Sequence, residues 1–189
     1  MNKIKGNKKV INVINKNENI DINTNRNDIV ILNYFNNNAS SMDIKINQSD
    51  DSYVVINYVI INQREININI NGEIKGNNNK IIINVRALVE NSHANINVCV
   101  KVDSDTLNNE VIEDLKGINE EGTITFMPIL EVDTNDVDAE HYAVVGSFDE
   151  NKLFYLQSKG LSLNEAKRLL KNSFIFNLFS DEFINMIDK

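Results

Sequence analysis

Residues 53–102 read "YVVINYVIINQREINININGEIKGNNNKIIINVRALVENSHANINVCVKV", and their period decides the fold. Apolar and polar residues alternate, so one face of each run meets a core and the other meets water. New runs open at Tyr53, Ile66, Lys80 and Ala94, at short and nearly even intervals. Such intervals are too short for a strand–helix–strand unit and suit stacked turns of a β-solenoid. "INQRE", "NGEIKGNNN" and "VENSH" between the runs are turn-like. A meander or a jelly roll gives the same alternation, so periodicity alone leaves these open.

The pattern extends in both directions. Upstream lie "DIVILNY" and "MDIKI"; downstream lie "TITFMPILEV" and "DAEHYAVV". Residues 1–19 are basic and Asn-rich and are expected to be partly frayed; 20–147 form the β body; 148–189 carry helical signals. Asn makes up about one residue in five, although strands normally avoid it. Its alternation with Ile assigns most of it to the solvent face of strands.

At 189 residues, 42% apolar and 24% charged, the chain is long enough for one well-filled core. A net charge of −8 argues against nucleic acid, which needs a basic footprint. Acid concentrates between Val102 and Glu150, where Lys116 is the only base; the ordinary reading is a solvated face. No run is long and apolar enough for a membrane span or a signal peptide, so no membrane partner and a cytoplasmic location are expected. One cysteine, Cys99, excludes an internal disulfide framework. It sits in the alternating run "INVCV" and is expected in the core.

Helices are announced only near the C-terminus. Asp149 is a good N-cap, Phe148 and Leu153 stand as a hydrophobic staple, and Gly160 suits the residue past the helix end. Ser162 and Glu165 make an S-x-x-E capping box that opens a second helix. Ala166, Leu169, Leu170, Ser173 and Phe174 follow on one stripe toward Leu178. Six of the eight phenylalanines (148, 154, 174, 176, 179 and 183) fall here. Two helices cannot enclose them, so they must pack on the β body or on a partner.

The stretch "MPILEVDTNDVDAEHYAVVGSFDENKLFYLQSKGLSLNEAKRLL" resembles the SufB/SufD family, scaffold components of SUF-type iron–sulfur cluster assembly. The resemblance rests on Pro128 with Leu130 and Glu131, then His141 with Ala143. It continues through Asp149 or Glu150, Leu153, Phe154, Tyr155, Leu156, Ser158, Lys159, Gly160 and Leu161. Ser162, Glu165, Ala166, Leu169 and Leu170 complete it. The close resemblance covers about the last third of the chain, and "RALVENS", from Arg86 to Ser92, fits the family's earlier turns only loosely.

The family implies a right-handed parallel β-helix followed by a small helical region. It also implies that the helical end docks a SufC-like ABC-type ATPase, with Leu153, Phe154, Leu156, Leu169, Leu170 and Phe174 as candidate contacts. β-Helices of the family associate, and in so short a chain a homodimer is expected rather than a heterodimer. This chain is then a scaffold rather than an enzyme. It lacks a phosphate-binding loop, so ATP hydrolysis falls to the partner.

Cluster-building members of the family place a cysteine at a set distance before the Pro and a glutamate directly after the His. Here those positions hold Glu113 and Tyr142, while Glu140 precedes the histidine. His141, Glu113 and Glu140 are the candidate ligands for iron or a transient cluster, with Cys99 a less favoured thiol. Clusters prefer thiolates, so the missing cysteine also fits a SufD-like partner that binds the ATPase and no cluster. Strict alternation puts Glu140 on the opposite strand face from His141. His93, in a turn, is expected to be structural or exposed. A solenoid carbohydrate enzyme would need a carboxylate pair such as Glu131 with Glu140, and the lack of Trp and of export signals makes it the poorest alternative.

Overall fold

A computed structural model describes residues 7–62 and 64–187. The strands are β1 (Lys8–Ile14), β2 (Ile20–Asn23), β3 (Ile29–Asn36), β4 (Met42–Gln48), β5 (Tyr53–Asn62), β6 (Ile66–Ile74), β7 (Lys80–Glu90), β8 (His93–Val102), β9 (Asn109–Glu120), β10 (Thr123–Val132) and β11 (Val137–Gly146). Three helices follow among the described residues: α1 (Glu150–Ser158), α2 (Leu163–Phe176) and α3 (Asp181–Ile187).

Odd strands form one sheet, β1-β3-β5-β7-β9-β11, and even strands the other, β10-β8-β6-β4-β2. The strands of both sheets pair in parallel, so the chain changes sheet at each strand and climbs as a β-solenoid. Meanders and jelly rolls are antiparallel and are thereby excluded. The interval between successive runs is therefore half a turn. The solenoid also begins within the basic segment, because Lys9, Ile11 and Val13 pair in register with inward Val30, Leu32 and Tyr34. The start of that segment, 1–6, lies outside the described residues.

Parallel register stacks like on like about 4.8 Å apart. One inward column on the odd-strand sheet reads Ile11, Leu32, Ile56, Ile83, Glu113, His141. Leu32, Ile56 and Ile83 are fully buried, and each such side chain contributes about 1.5–3 kcal/mol.

Asn serves three positions. On the outer face, Asn33, Asn57 and Asn84 each donate to the Asn one turn below, at 2.9–3.0 Å. At one corner, Asn27, Asp51, Asn78 and Asn108 take positive φ, which suits Asx residues. Asn33 and Asn57 are themselves buried on the outer face, and the third position departs further from the solvent-face expectation: Asn36, Asn62, Asn79 and Asn109 are buried at strand ends. They answer backbone groups of neighbouring turns, as when Asn109 Nδ2 donates to the Gly76 carbonyl at 3.1 Å and Asn79 Oδ1 accepts from Ser52 N at 2.9 Å.

The helical layer lies on the outer face of the odd-strand sheet, over Phe35, Val59, Leu88 and Ile118. Asp149 caps α1, Ser162 and Glu165 form the capping box of α2, and Gly160 takes φ +96 after α1. Phe148 and Leu153 share the apolar cluster that fastens this layer. Lys167–Glu120 at 3.1 Å and Lys171–Glu90 add ion pairs. The α2 stripe stops at Phe176, and α3 begins after a short turn, a third helix that the stripe toward Leu178 did not separate.

Candidate functional site at the open end of the solenoid

β10 and β11 are edge strands, so the last turn is uncovered. Phe126, Pro128 and Leu130 line it from β10; Ala139, His141, Ala143 and Val145 line it from β11. Pro128 is tolerated because an edge strand need not donate on its free side. Gly117 makes room for this lining: a Cβ there would stand 2.7 Å from Ile124 Cδ1 and 3.2 Å from the Phe126 ring.

Glu113 occupies the column directly below His141. It is fully buried, and neither carboxylate oxygen has a hydrogen-bond partner among the described residues. Burial alone pushes its pKa from 4.5 to about 8, since a charge in this apolar column lacks solvation. The nearby bases are engaged on the other face. Arg86 Nη2 donates to Asp114 Oδ2 at 2.8 Å and Lys116 Nζ to the same oxygen at 3.0 Å. Burial would raise the Asp114 carboxyl, yet hydrogen bonds from Lys116 and Arg86 leave it below the usual range.

The candidates therefore separate. Glu113 and His141 share an inward column, with His141 exposed at the open end. Glu140 points outward, where its Oε2 accepts from the Tyr142 hydroxyl at 3.0 Å. Cys99 is not in the core: Val98 and Val100 face inward, so Cys99 lies half-buried on the outer face of the even-strand sheet. Burial, then Glu131 and Glu113, raise its thiol pKa. Glu131 and Glu140 stand on the outer faces of different sheets, which removes the carbohydrate-enzyme pair. His93 opens β8, exposed.

Among the described residues no group of three or more His, Cys, Asp or Glu side chains is arranged to hold a metal ion. A carboxyl and an imidazole are donor types that suit iron rather than a thiolate-bound cluster, and two such donors alone do not complete a coordination shell. The inward position of Glu113 was available from the sequence, because "VIEDL" puts it in phase with Val111 and Leu115.

The helical docking candidates divide in the same way. Leu153, Leu170 and Phe174 pack into the apolar cluster beneath the layer, and Leu156 is half-buried. Phe154 is 75% exposed and Leu169 50%; Tyr155, at 59%, and Leu163 join them. No helix among the described residues is long and apolar enough to cross a membrane.

Residues 97–174 match the SufBD core domain of SUF-system FeS cluster assembly. An iron–sulfur cluster assembly SufBD family protein of Mycobacterium leprae is 40% identical over 55 residues, 29% of this chain and 14% of that relative. The iron–sulfur cluster assembly protein SufD of Bacillus subtilis is 46% identical over 48 residues, 25% of this chain and 11% of the relative. SufD of Escherichia coli is 28% identical over 79 residues, 42% of this chain and 18% of the relative. The matches thus span less than a fifth of each relative's length. The family match runs through the open end and into the helical layer, so residues 97–174 are similar to the SufB/SufD family of iron–sulfur cluster assembly proteins.

Proposed function

We propose that this chain is a scaffold subunit of a SUF-type iron–sulfur cluster assembly complex. Its helical layer docks a SufC-like ABC-type ATPase, and the open end of its solenoid pairs with a second copy. The observation that carries the reading is the split of the helical layer. Five of its six phenylalanines are turned onto the solenoid, while Phe154, Tyr155, Leu163 and Leu169 stay exposed on α1 and α2. Apolar surface left outside a well-packed layer marks a binding site. The chain is not an enzyme in this reading; its work is to hold and move, with nucleotide closing the ATPase against α1 and α2.

The test is co-elution with the SufC-type ATPase, with mass read by light scattering. Two copies of each protein in one complex are expected. Removing the residues after Lys159 should abolish it. Because that also uncovers the sheet, Phe154→Asp is the cleaner probe. An exposed aromatic anchor is worth about 2 kcal/mol or more, so affinity should fall at least roughly thirtyfold. Unchanged binding in both variants rejects the docking.

A second reading, a SufD-like partner that carries no cluster, is favoured by Glu113. Where cluster-building relatives have a cysteine, this chain has a sealed carboxyl, and Cys99 faces away. Anaerobic reconstitution with iron and sulfide separates the two. A cluster spectrum lost in His141→Ala supports a transient cluster as cargo at the seam; no spectrum supports the SufD-like role.

A further inference from the structure

The register of both sheets defines what would happen if copies met head to tail. The columns of the last turn would continue into the first turn of the next copy. Ile11 and Val13 of its β1 would stand over His141 and Ala143, and Ile20 and Ile22 of its β2 over Pro128 and Leu130. On the outer face, Lys8 would come beside Asp138. Strand direction, apolar matching and this outer charge pair all favour such a stack, and nothing in it closes, so it would run on as a fibre.

One contact opposes it. Lys9 is the only charged residue pointing inward from β1 or β2, and its column continues as Val30, Val54, Ile81, Val111 and Ala139. In a stack it would be sealed between Ala139 of one copy and Val30 of the next. The nearest inward acid, Glu113, would lie two turns down and one column across, about 12 Å between Cα atoms by strand spacing, with His141 in between. Stripping water from an unpaired ammonium costs more than an exposed Lys8–Asp138 pair returns.

We propose that Lys9 is an axial stop: it keeps the first turn of one copy from adding to the last turn of another, and so reserves the open C-terminal end for a closed pairing. This concerns only which surface meets that end, and its failure would leave ATPase docking untouched. Sedimentation velocity of the full chain over a wide concentration range tests it. Wild type and Lys9→Arg should keep one mass distribution, whereas Lys9→Ile should form elongated species whose mass rises several-fold with concentration. Adding Ala143→Lys, which charges the opposite end, should return Lys9→Ile to the wild-type distribution. The proposal is overturned if Lys9→Ile sediments like wild type. It is equally overturned if the assemblies survive Ala143→Lys, since they would then reflect general stickiness.

Discussion

At its first turn the solenoid shows Lys8 and Lys9 on β1 and still keeps Val13 and Ile22 buried. At its last turn it shows Ala139, His141, Ala143 and Val145, the last 43% exposed, on a strand without Lys or Arg. The columns are the same, since Lys9 and Ala139 belong to one and Ile11 and His141 to another. Natural sheets guard free edges with charge, lysine above all. Here the two free edges differ in the sign of their charge: β1 carries Lys8 and Lys9, and β11 carries Asp138 and Glu140. The polar content of the last turn is Glu113, sealed in the column beneath an exposed His141.

The strongest test of this contrast is at Glu113. Its folded pKa, about 8, lies above the ordinary 4.5, so the native state binds the extra proton between these values. Its contribution is complete below pH 4.5 and is lost as pH rises toward 8. The loss should be roughly 4–5 kcal/mol. Urea unfolding at several pH values should show this decline in wild type and a much flatter profile in Glu113→Gln. A wild type as flat as the variant would mean that Glu113 is partnered and the two ends are more alike than they look.

Next is a pair of truncations. Ile56→Ala, mid-column and fully buried, should cost about 2–5 kcal/mol. Val145→Ala, at the open end, should stay within about 0.5 kcal/mol. Similar costs for both, measured by chemical denaturation, would break the comparison by showing that the last turn is already covered. A smaller change is expected beyond the solenoid: Ser162→Ala removes the α2 capping box and should cost about 1 kcal/mol. A far larger loss would mean that the helical layer and the solenoid unfold together through the cap.

Much of this was legible in the sequence because it depends on local rules. Alternation with period two marked the strands at Tyr53, Ile66 and Lys80, and the caps at Asp149 and Ser162 acted where they stand. The motifs from Pro128 to Leu170 identified the matched family before any geometry was known. Cys99 was misplaced by a residue-type preference, although its own alternation, between Val98 and Val100, carried the right answer.

Local chemistry was enough to specify short half-turns that alternate inward and outward, and the capped helices that follow them, because backbone sterics and side-chain period act within a few residues. Tertiary packing was needed to send successive half-turns to opposite sheets. It also sealed Glu113 beneath His141 and turned Glu131 and Glu140 apart. Those facts depend on register between residues a full solenoid turn apart in sequence, as between Glu113 and His141 or Cys99 and Ile129. No local preference specifies that register; it is set by stacking like side chains in a shared interior.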